Sequence, residues 1–508
     1  MKVIDNSGKR LDADGMSDEQ VPAGISADDW AATPVAVREL VVALLERLAA
    51  LEERVNQTSR NSSKPPSSDP PSAPPYPRQP PSGRQAGGQK GHAGHGRSLK
   101  PPEQVNRLVV VKPISCAACG ALLLGEDPRP ARHQVTDLPR IEPEVIEYQR
   151  HTLTCLACGA PTQADWPVEK PAGHFGPRLQ ATVGYLTGRV GASQREVEEV
   201  LETVCHTDVG LGSIAALEQA VSEALAQPVA EAQAYVQAQP TANVDETSWQ
   251  ERAQRTWLWV SATPLVTVFL LVATRGAAGV KQLLGQAFPG IVGSDRWSAY
   301  NWLDPQRRQL CWAHLTRDFQ AFVERGGESA RLGRALLACV ETMFGLWHRV
   351  RDGTLSRADF QAAMRPVQIR VGELLREGSQ LAQTKTAHTC ANLVKLEVAL
   401  WTFVRVAGVE PTNNRAERPL RRAVLWRRRS FGTQSEAGSR FVERILTTVT
   451  TLRQQKRDVL DYLTEACAAT VRGEPPPRCC PTPRQSIRLR SVIDHLNAYH
   501  LSFLLLSE

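Results

Sequence analysis

The chain has 508 residues, of which 42% are hydrophobic and 22% are charged, a balance typical of water-soluble proteins. This length predicts two to four domains at roughly 100 to 200 residues each. The formal net charge of +7 is concentrated in two segments, and clustered Lys and Arg favour a polyanionic partner. The opening residues lack the apolar core of a signal peptide, and the longest apolar run is too short to span a membrane. We therefore expect a cytoplasmic protein without a membrane partner.

Residues 33–56 are predicted to form an amphipathic helix. Its apolar residues recur at spacings of four and three, which is an a/d heptad stripe. The stripe consists of Val37, Val41, Leu44, Leu48, Leu51 and Val55. Two interpretations remain open, a helix that packs on its own protein and a short coiled coil that joins copies into a homo-oligomer.

Residues 57–105 are predicted to be a disordered basic linker. They contain eleven prolines and seven Lys or Arg residues but only two acids, so they cannot build a core. This segment is either a solvated linker or an arm that contacts DNA phosphates.

Two Cys-x-x-Cys pairs predict a zinc-binding module over residues 106–172. Each pair is followed by Gly, and the four thiols supply the ligand count of a structural tetrahedral zinc site. The predicted ligands are Cys116, Cys119, Cys155 and Cys158. A redox pair is the alternative, but such a pair is expected beside a βαβ unit, and none is evident.

Residues 173–230 show three short helical runs that begin with Ser or Gly-Ser signals. They are typical of a helix-turn-helix unit whose last helix, from Ser213, enters a major groove. Many three-helix bundles that do not bind DNA have the same pattern.

Asp245 ends the first apolar strand of a predicted α/β core. Two further strands divided by Pro264 follow, then a helix over 277–288, and then a short strand that leads to Asp295. Strand, hairpin, helix and strand is the opening of an RNase H-like fold, in which the two aspartates converge. Carboxylates without nearby His or Cys suit Mg2+, and two such ions support phosphodiester chemistry. Alternatively, each aspartate caps a turn or a helix.

The core is predicted to occupy residues 238–320 and 409–473, with a helical insertion over 321–408. Before the insertion, a strand-like run carries Cys311 and His314 and leads to a helix at Arg317. After it, Asn413 and Asn414 form a predicted helix cap.

Arginines dominate the segment that follows this cap, and they are interleaved with Trp426. They predict contacts with DNA phosphates. The candidates are Arg415, Arg418, Arg421, Arg422, Arg427, Arg428 and Arg429. Glu417 lies among them, either as an ion-pair partner or as a metal ligand.

In combination, these motifs resemble the bacterial insertion-sequence transposases of the IS66 family, of the TnpC type. The resemblance extends over about Val37 to Gly473. The matching stretches are Asn61-Ser-Ser-Lys-Pro-Pro-Ser-Ser-Asp69, Gly87-Gly-Gln-Lys-Gly-His92, both Cys-x-x-Cys pairs, Val244-Asp245-Glu-Thr, Ser294-Asp295, Cys311-Trp-Ala-His314 and Thr412-Asn-Asn-Arg-Ala-Glu417-Arg.

This resemblance implies a DDE transposase with an N-terminal zipper-like helix, a zinc module and an RNase H-like core interrupted by helices. It implies the catalytic trio Asp245, Asp295 and Glu417, holding two Mg2+ or Mn2+ ions, with the Cys311-x-x-His314 motif in support. The implied reaction cleaves element ends and transfers the 3' hydroxyl to target DNA, without a covalent enzyme intermediate.

The expected partners are terminal inverted repeats, target DNA, further copies of the chain and accessory proteins of the same element, and the expected location is the nucleoid. Two alternatives stay open, a zinc-containing DNA-binding protein with an inactive core and a nuclease that cuts without joining. The tail, residues 474–508, departs from the family pattern from Pro475 onward and receives no role.

Overall fold

The computed structural model describes residues 25–55 and 98–481. Most of the predicted linker and most of the tail lie outside these residues. The described chain falls into two compact units, and the smaller one consists of residues 98–146 and 200–208. The division after Ile146 cuts through the region predicted as one zinc-binding module.

Two helices open the described chain, α1 over Ala27–Ala32 and α2 over Val35–Val55. Helix α2 coincides with the predicted amphipathic helix. The side chains of Val37, Leu44 and Leu48 are exposed, so these members of the stripe are not packed on other described residues. Coiled-coil pairing stays a prediction.

The two Cys-x-x-Cys segments lie in turns with little regular structure around them. In the smaller unit, residues 98–146 are mostly irregular, with a 3-10 turn at Pro102–Gln104. In the larger unit, strands β1 (Thr152–Thr154) and β2 (Pro161–Gln163) pair antiparallel on either side of the second cysteine pair.

Four further helices of the described chain precede the main sheet. They are α3 (Pro177–Tyr185), extended by a π-helical turn at Leu186–Val190, then α4 (Gln194–Thr203), α5 (Leu211–Ala224) and α6 (Ala226–Gln237). Helix α5 begins two residues before the predicted Ser213.

The main sheet has five strands in the order β5-β4-β3-β6-β7, where β3, β4 and β5 are antiparallel and β6 and β7 run parallel to β3. Their bounds are β3 (Thr241–Glu251), β4 (Gln254–Ala262), β5 (Thr267–Val272), β6 (Ile291–Ser294) and β7 (Arg308–Leu310), with helix α7 (Ala277–Leu284) between β5 and β6.

Asp245 lies inside β3, and the prediction that it ends the strand is wrong. Pairing of β3 with β6 stops at Asn243, but pairing with β4 continues to Glu251. The antiparallel hairpin therefore extends the strand beyond the aspartate.

The insertion has its own hydrophobic core, which includes Trp312, Phe319, Trp347, Phe360 and Phe403. Its helices are α8 (Trp312–Glu324), α9 (Gly327–Arg351), α10 (Arg357–Gly378), α11 (Thr384–Lys395), α12 (Glu397–Leu400) and α13 (Thr402–Arg405). Helix α8 begins at Trp312, directly after β7, and not at the predicted Arg317.

Three helices complete the fold, α14 (Asn414–Ser430), α15 (Glu436–Gln454) and α16 (Val459–Arg472). Helix α14 packs on one face of the sheet through Ala416, Leu420 and Ala423. On the other face, side chains of α3, α5, α6 and α7 share one core with α15 and α16. Helices α3, α5 and α6 of the predicted region 173–230 are thus packed into the core, and contact of this region with DNA stays a prediction.

Helix α15 seals the outer edge of β5. The backbone N–H groups of Thr267, Phe269 and Leu271 donate to side chains of Thr451, Thr447 and Glu443, respectively. The donors are two residues apart on β5, a rise of about 6.6 Å, and the acceptors are four residues apart on α15, a rise of about 6 Å. Because the two spacings nearly match, successive donors and acceptors stay aligned.

The opposite edge of the sheet, strand β7, is also covered by side chains and backbone of the insertion. Thr402 Oγ1 donates to the carbonyl of Arg308 at 2.6 Å, and the backbone N–H of Phe403 donates to Gln309 Oε1 at 2.7 Å. Both edges of the sheet are therefore closed by hydrogen bonds.

Glu443 makes stability depend on pH. Its side chain is buried, and burial raises its pKa from 4.5 to about 7, although Leu271 N–H, Arg440 and Arg444 oppose the shift. A raised pKa means that the stabilising contribution is complete below pH 4.5 and is lost as the pH rises to 7. At pH 8 we expect the free energy of unfolding of Glu443→Gln to exceed that of the wild type by up to about 3 kcal/mol, with no difference near pH 4.5. Denaturant titration at the two pH values measures this difference. Glu436→Gln, on the exposed first turn of the same helix, should show no such pH-dependent gain.

Candidate active site

Asp245 and Asp295 are placed by two neighbouring parallel strands. The β3–β6 register pairs Thr241 with Ile291 and Asn243 with Gly293, an offset of 50 residues. Continuing this offset by two residues brings Asp245 level with Asp295, which directly follows β6. The sheet therefore brings the two predicted aspartates to one place.

A buried arginine fixes the turn that carries Asp295. Arg308 on β7 donates to the carbonyl of Asp295 at 2.7 Å and to Ser294 Oγ at 3.2 Å. Asp295 Oδ1 also accepts the backbone N–H of Trp297 at 2.9 Å. Burial lowers the pKa of Arg308 to about 10, so it remains charged at neutral pH. Sequence reasoning missed this residue, since a lone Arg in a short strand carries no signal.

Asn413 fastens the start of α14 to β3 beside Asp245. Its Nδ2 donates to the Val244 carbonyl at 2.8 Å, and its Oδ1 accepts from Asn243 Nδ2 at 3.0 Å. Asn413 occupies the N-cap position, but its side chain makes no capping hydrogen bond. The predicted position of the cap is thus correct, but the predicted capping hydrogen bond is not formed. Gly293 leaves room for the Asn243 amide, because a Cβ there would lie 2.5 Å from Asn243 Nδ2.

Glu417 lies in the first turn of α14, on the sheet face that includes Asp245. Asp245 pairs with Val260, which shares a cluster with Ala416 and Leu420 of α14. The structure thus places the three predicted acids on β3, after β6 and on α14.

The pKa of Asp245 is affected by the other acids, which lie nearby. Burial raises its pKa well above 3.8, and the charges of Glu246, Glu417 and Asp295 raise it further. A bound cation would relieve this repulsion. The donors are carboxylate oxygens, the ligands that Mg2+ and Mn2+ prefer, so the trio fits such ions.

Glu246 belongs to a second polar network on the opposite face of β3. Arg275 Nε donates to its Oε1 at 2.9 Å, and Tyr300 donates to its Oε2 at 3.2 Å. The Arg275 guanidinium lies 4.1 Å from the ring centroid of Trp297. We did not predict these roles, although alternation along β3 separates Glu246 from Asp245.

Glu417 also meets the predicted Cys311-x-x-His314 motif. Cys311 occupies the N-cap position of α8, and His314 lies on the first turn of this helix. Glu417 Oε1 is 3.8 Å from Cys311 Sγ and 3.5 Å from His314 Nδ1. Burial raises the pKa of Cys311 to about 12 and, together with Arg317, lowers the pKa of His314, so both are neutral at pH 7.

The arginines of α14 divide into two groups. Arg427 donates to Thr247 Oγ1 at 2.9 Å, Arg422 donates to the Arg189 carbonyl, and Arg429 pairs with Glu196 at 2.8 Å. These three side chains are bound to other residues of the protein, although Arg429 remains exposed. Exposed side chains of this helix include Arg418, Arg421 and Arg428, which recur at i, i+3 and i+10 on one face.

The two cysteine pairs have the same local geometry. Cys116 N–H donates to the Ala121 carbonyl at 2.8 Å, and Cys155 N–H donates to the Ala160 carbonyl at 2.9 Å. The glycine after each pair has a φ above +70°. Backbone N–H groups within each turn lower the pKa of Cys116 and of Cys155, which favours the thiolates that bind zinc. Each Cys-x-x-Cys turn, called a cysteine knuckle below, therefore has by itself a geometry that suits zinc ligation.

Within the described ranges, no helix combines the length and apolarity needed to cross a membrane.

Comparison with protein families gives three matches. Residues 113–159 match the zinc-finger binding domain of transposase IS66, which supports a structural zinc. Residues 29–98 match a family of unknown function. Residues 172–440, just over half of the chain, match the Transposase IS66 family.

Two relatives come from Sinorhizobium fredii (strain NBRC 101917 / NGR234). The uncharacterized protein y4qI is 26% identical over 44% of this chain and 45% of its own length. The uncharacterized protein y4hP is 24% identical over 71% of each chain. The chain thus spans less than half of the first relative and about 70% of the second. Because the family match covers the sheet, the insertion and α14 with all three acids, this chain belongs to the IS66 family of transposases.

Proposed function

We propose that the chain cleaves DNA at insertion-sequence ends and joins the freed 3' hydroxyl to target DNA. The observation that carries this proposal is the convergence of three acids that are far apart in sequence. The 50-residue offset between β3 and β6 aligns Asp245 with Asp295. The Asn413 contacts with β3 place the first turn of α14, and with it Glu417, at the same strand.

The strand order supports an RNase H-like core. In sequence order, the five strands stand 3-2-1-4-5, with the first three antiparallel and the last two parallel to the first. Active sites of open parallel sheets lie at the carboxyl ends of neighbouring strands, as Asp295 does here. The insertion enters after the fifth strand and ends before α14.

The proposed chemistry assigns a role to each acid. Asp245 and Asp295 hold divalent ions, and Glu417 completes the second ion site. When bound, two Mg2+ or Mn2+ ions would activate the attacking oxygen and stabilise the leaving oxygen. Arg308 keeps Asp295 in place by binding the backbone of its turn.

Of the exposed arginines of α14, Arg418 and Arg421 lie nearest to Glu417 in sequence, and they are proposed phosphate contacts. We expect the Arg418→Ala, Arg421→Ala double variant to bind all DNA sequences more weakly. The slope of log affinity against log salt should become shallower by about 1.8, because each lost phosphate contact removes about 0.9. Fluorescence anisotropy at several salt concentrations measures this slope.

Arg427→Ala is the matched control, since its guanidinium is bound to Thr247 and Ser248. It should lower stability and leave the salt slope near the wild-type value. An unchanged slope in the double variant would contradict the assigned phosphate contacts.

A cleavage assay on DNA with the element's own ends tests the proposed function. The full chain is incubated with Mg2+ or Mn2+ and a supercoiled target plasmid, and nicked ends and joined products are measured separately. Both products are expected, and chelation should abolish both. Cleavage without joined products would favour a nuclease, whereas DNA binding without cleavage would favour a DNA-binding protein with an inactive core.

A further inference from the structure

The carboxylate of Glu417 lies against a thiol and an imidazole. Of the described residues, Cys311, His314 and Glu417 are the only group of three metal-binding side chains whose ligand atoms all lie within 4.8 Å of one another. The acidic trio does not form so tight a group. Glu417 is therefore shared between two arrangements with different ligand chemistry.

The spacing of this group suits a small tetrahedral ion. Zinc lies about 2.0 to 2.1 Å from N or O ligands and about 2.3 Å from S, which sets ligand separations of about 3.3 Å for N to O and 3.5 Å for S to O. The observed separations from Glu417 Oε1 are 3.5 Å to His314 Nδ1 and 3.8 Å to Cys311 Sγ. Closure by 0.2 to 0.3 Å completes these edges.

The surroundings favour an ion over simple hydrogen bonding. His314 Nδ1 is buried and makes no hydrogen bond among the described residues. Cys311 Sγ accepts the backbone N–H of Asn413 at 3.1 Å and is also approached by those of Ala313 and His314. Burial keeps the Cys311 thiol neutral when no ion is bound. A cation at this place would favour the thiolate, which the amide donors would help to stabilise, and a metal at Nδ1 would satisfy the unpaired nitrogen.

The donor set selects the metal. A thiolate and an imidazole prefer zinc, whereas Mg2+ prefers oxygen ligands alone. Three protein ligands leave a fourth position for water.

We propose that Cys311, His314 and Glu417 bind a zinc ion separate from that of the cysteine knuckles, with loss of the thiol proton to solvent. Zinc at this site neutralises the Glu417 charge and adds a second dication near Asp245 and Asp295, which weakens binding of Mg2+ or Mn2+ there. This second consequence rests on the proposed function of the trio.

The first experiment measures metal directly. Full-length protein is saturated with Zn2+, gel-filtered and analysed for zinc per chain. Cys311→Ser and His314→Gln are each expected to hold one zinc fewer than the wild type, and Cys339→Ser, a cysteine of the insertion outside the site, should hold the same number. Circular dichroism verifies that each variant is folded, and His314→Gln keeps the test valid if Cys311→Ser does not fold.

Co2+ added to protein that retains its knuckle zinc gives a second readout. The wild type should develop a single cobalt–thiolate charge-transfer band, which both site variants lack. Equal zinc content in the wild type and both variants, or a cobalt band that survives in them, would overturn the site.

Manganese binding tests the consequence for the trio without requiring cleavage. Zinc-loaded wild type should bind Mn2+ at least tenfold more weakly than zinc-depleted wild type, as measured by electron paramagnetic resonance, and zinc should have no such effect on His314→Gln. Unchanged Mn2+ affinity would refute the antagonism. A protein that shows both zinc effects but never cleaves DNA would retain this site and lose the proposed function.

Discussion

Glu417→Gln should reduce DNA cleavage on the order of 10³-fold or more, which corresponds to about 4 kcal/mol of activation free energy. Gln keeps the size of the side chain but cannot supply the negative charge that the second ion site requires. The first turn of α14 should remain in place, since Asn413 and the apolar contacts of Ala416 and Leu420 are untouched. DNA affinity should therefore stay within about twofold, because phosphate contacts supply most of it. Single-turnover cleavage and anisotropy measure the two quantities.

Glu410→Gln is the control for this experiment. Glu410 lies in a loop before Pro411, outside the helix that carries Glu417. The Glu410→Gln variant should cleave DNA at the wild-type rate. Full cleavage by Glu417→Gln, or an equal loss in both variants, would refute Glu417 as the third carboxylate.

Asn413→Ala is expected to lower the free energy of unfolding by about 2 to 3 kcal/mol and to reduce cleavage. The substitution removes two hydrogen bonds to β3, one of them buried, and leaves the Asn243 amide only the Thr412 carbonyl at 3.5 Å as an acceptor. These bonds hold Glu417 beside Asp245, so their loss should lower kcat more than it raises KM. Denaturant titration and steady-state kinetics test the two effects.

Asn414→Ala, one residue later and exposed, should change neither quantity. Asn413→Asp keeps the acceptor for Asn243 and loses the donor to Val244, so we expect an intermediate loss of stability. If Asn413→Ala cleaves normally at a temperature where it is folded, the residue has only a structural role.

The α/β pattern of the core was predictable because local signals and the fold agree. The strand-like runs around Pro264 and before Asp295 form β4, β5 and β6. The constant register between β3 and β6 then brings Asp245 level with Asp295. The start of α8 was misplaced by five residues, since Cys311 and Trp312 look like a continuation of a strand. Strand propensity there is overridden by packing of Trp312 in the insertion core.

The convergence of Asp245 and Asp295 was predictable from the fold, but the individual side-chain contacts between distant residues were not. The eight arginines from Arg415 to Arg440 form one basic cluster in the sequence. A helix distributes its side chains around its axis, so Arg427 faces β3 while Arg428 is exposed. In the same way, nothing local marks Arg308 as the residue that holds the Asp295 turn.

The seal on β5 has a consequence for how the protein is made. The side chains of α15 that close this edge follow their strand partners by 172 to 184 residues. At synthesis rates of about 5 to 20 residues per second, β5 is synthesised roughly 10 to 35 s before the α15 residues that cover its edge. An open apolar edge can pair with another nascent chain during that interval. Aggregation should therefore rise with the rate of expression, whereas the completed protein offers no such edge at β5.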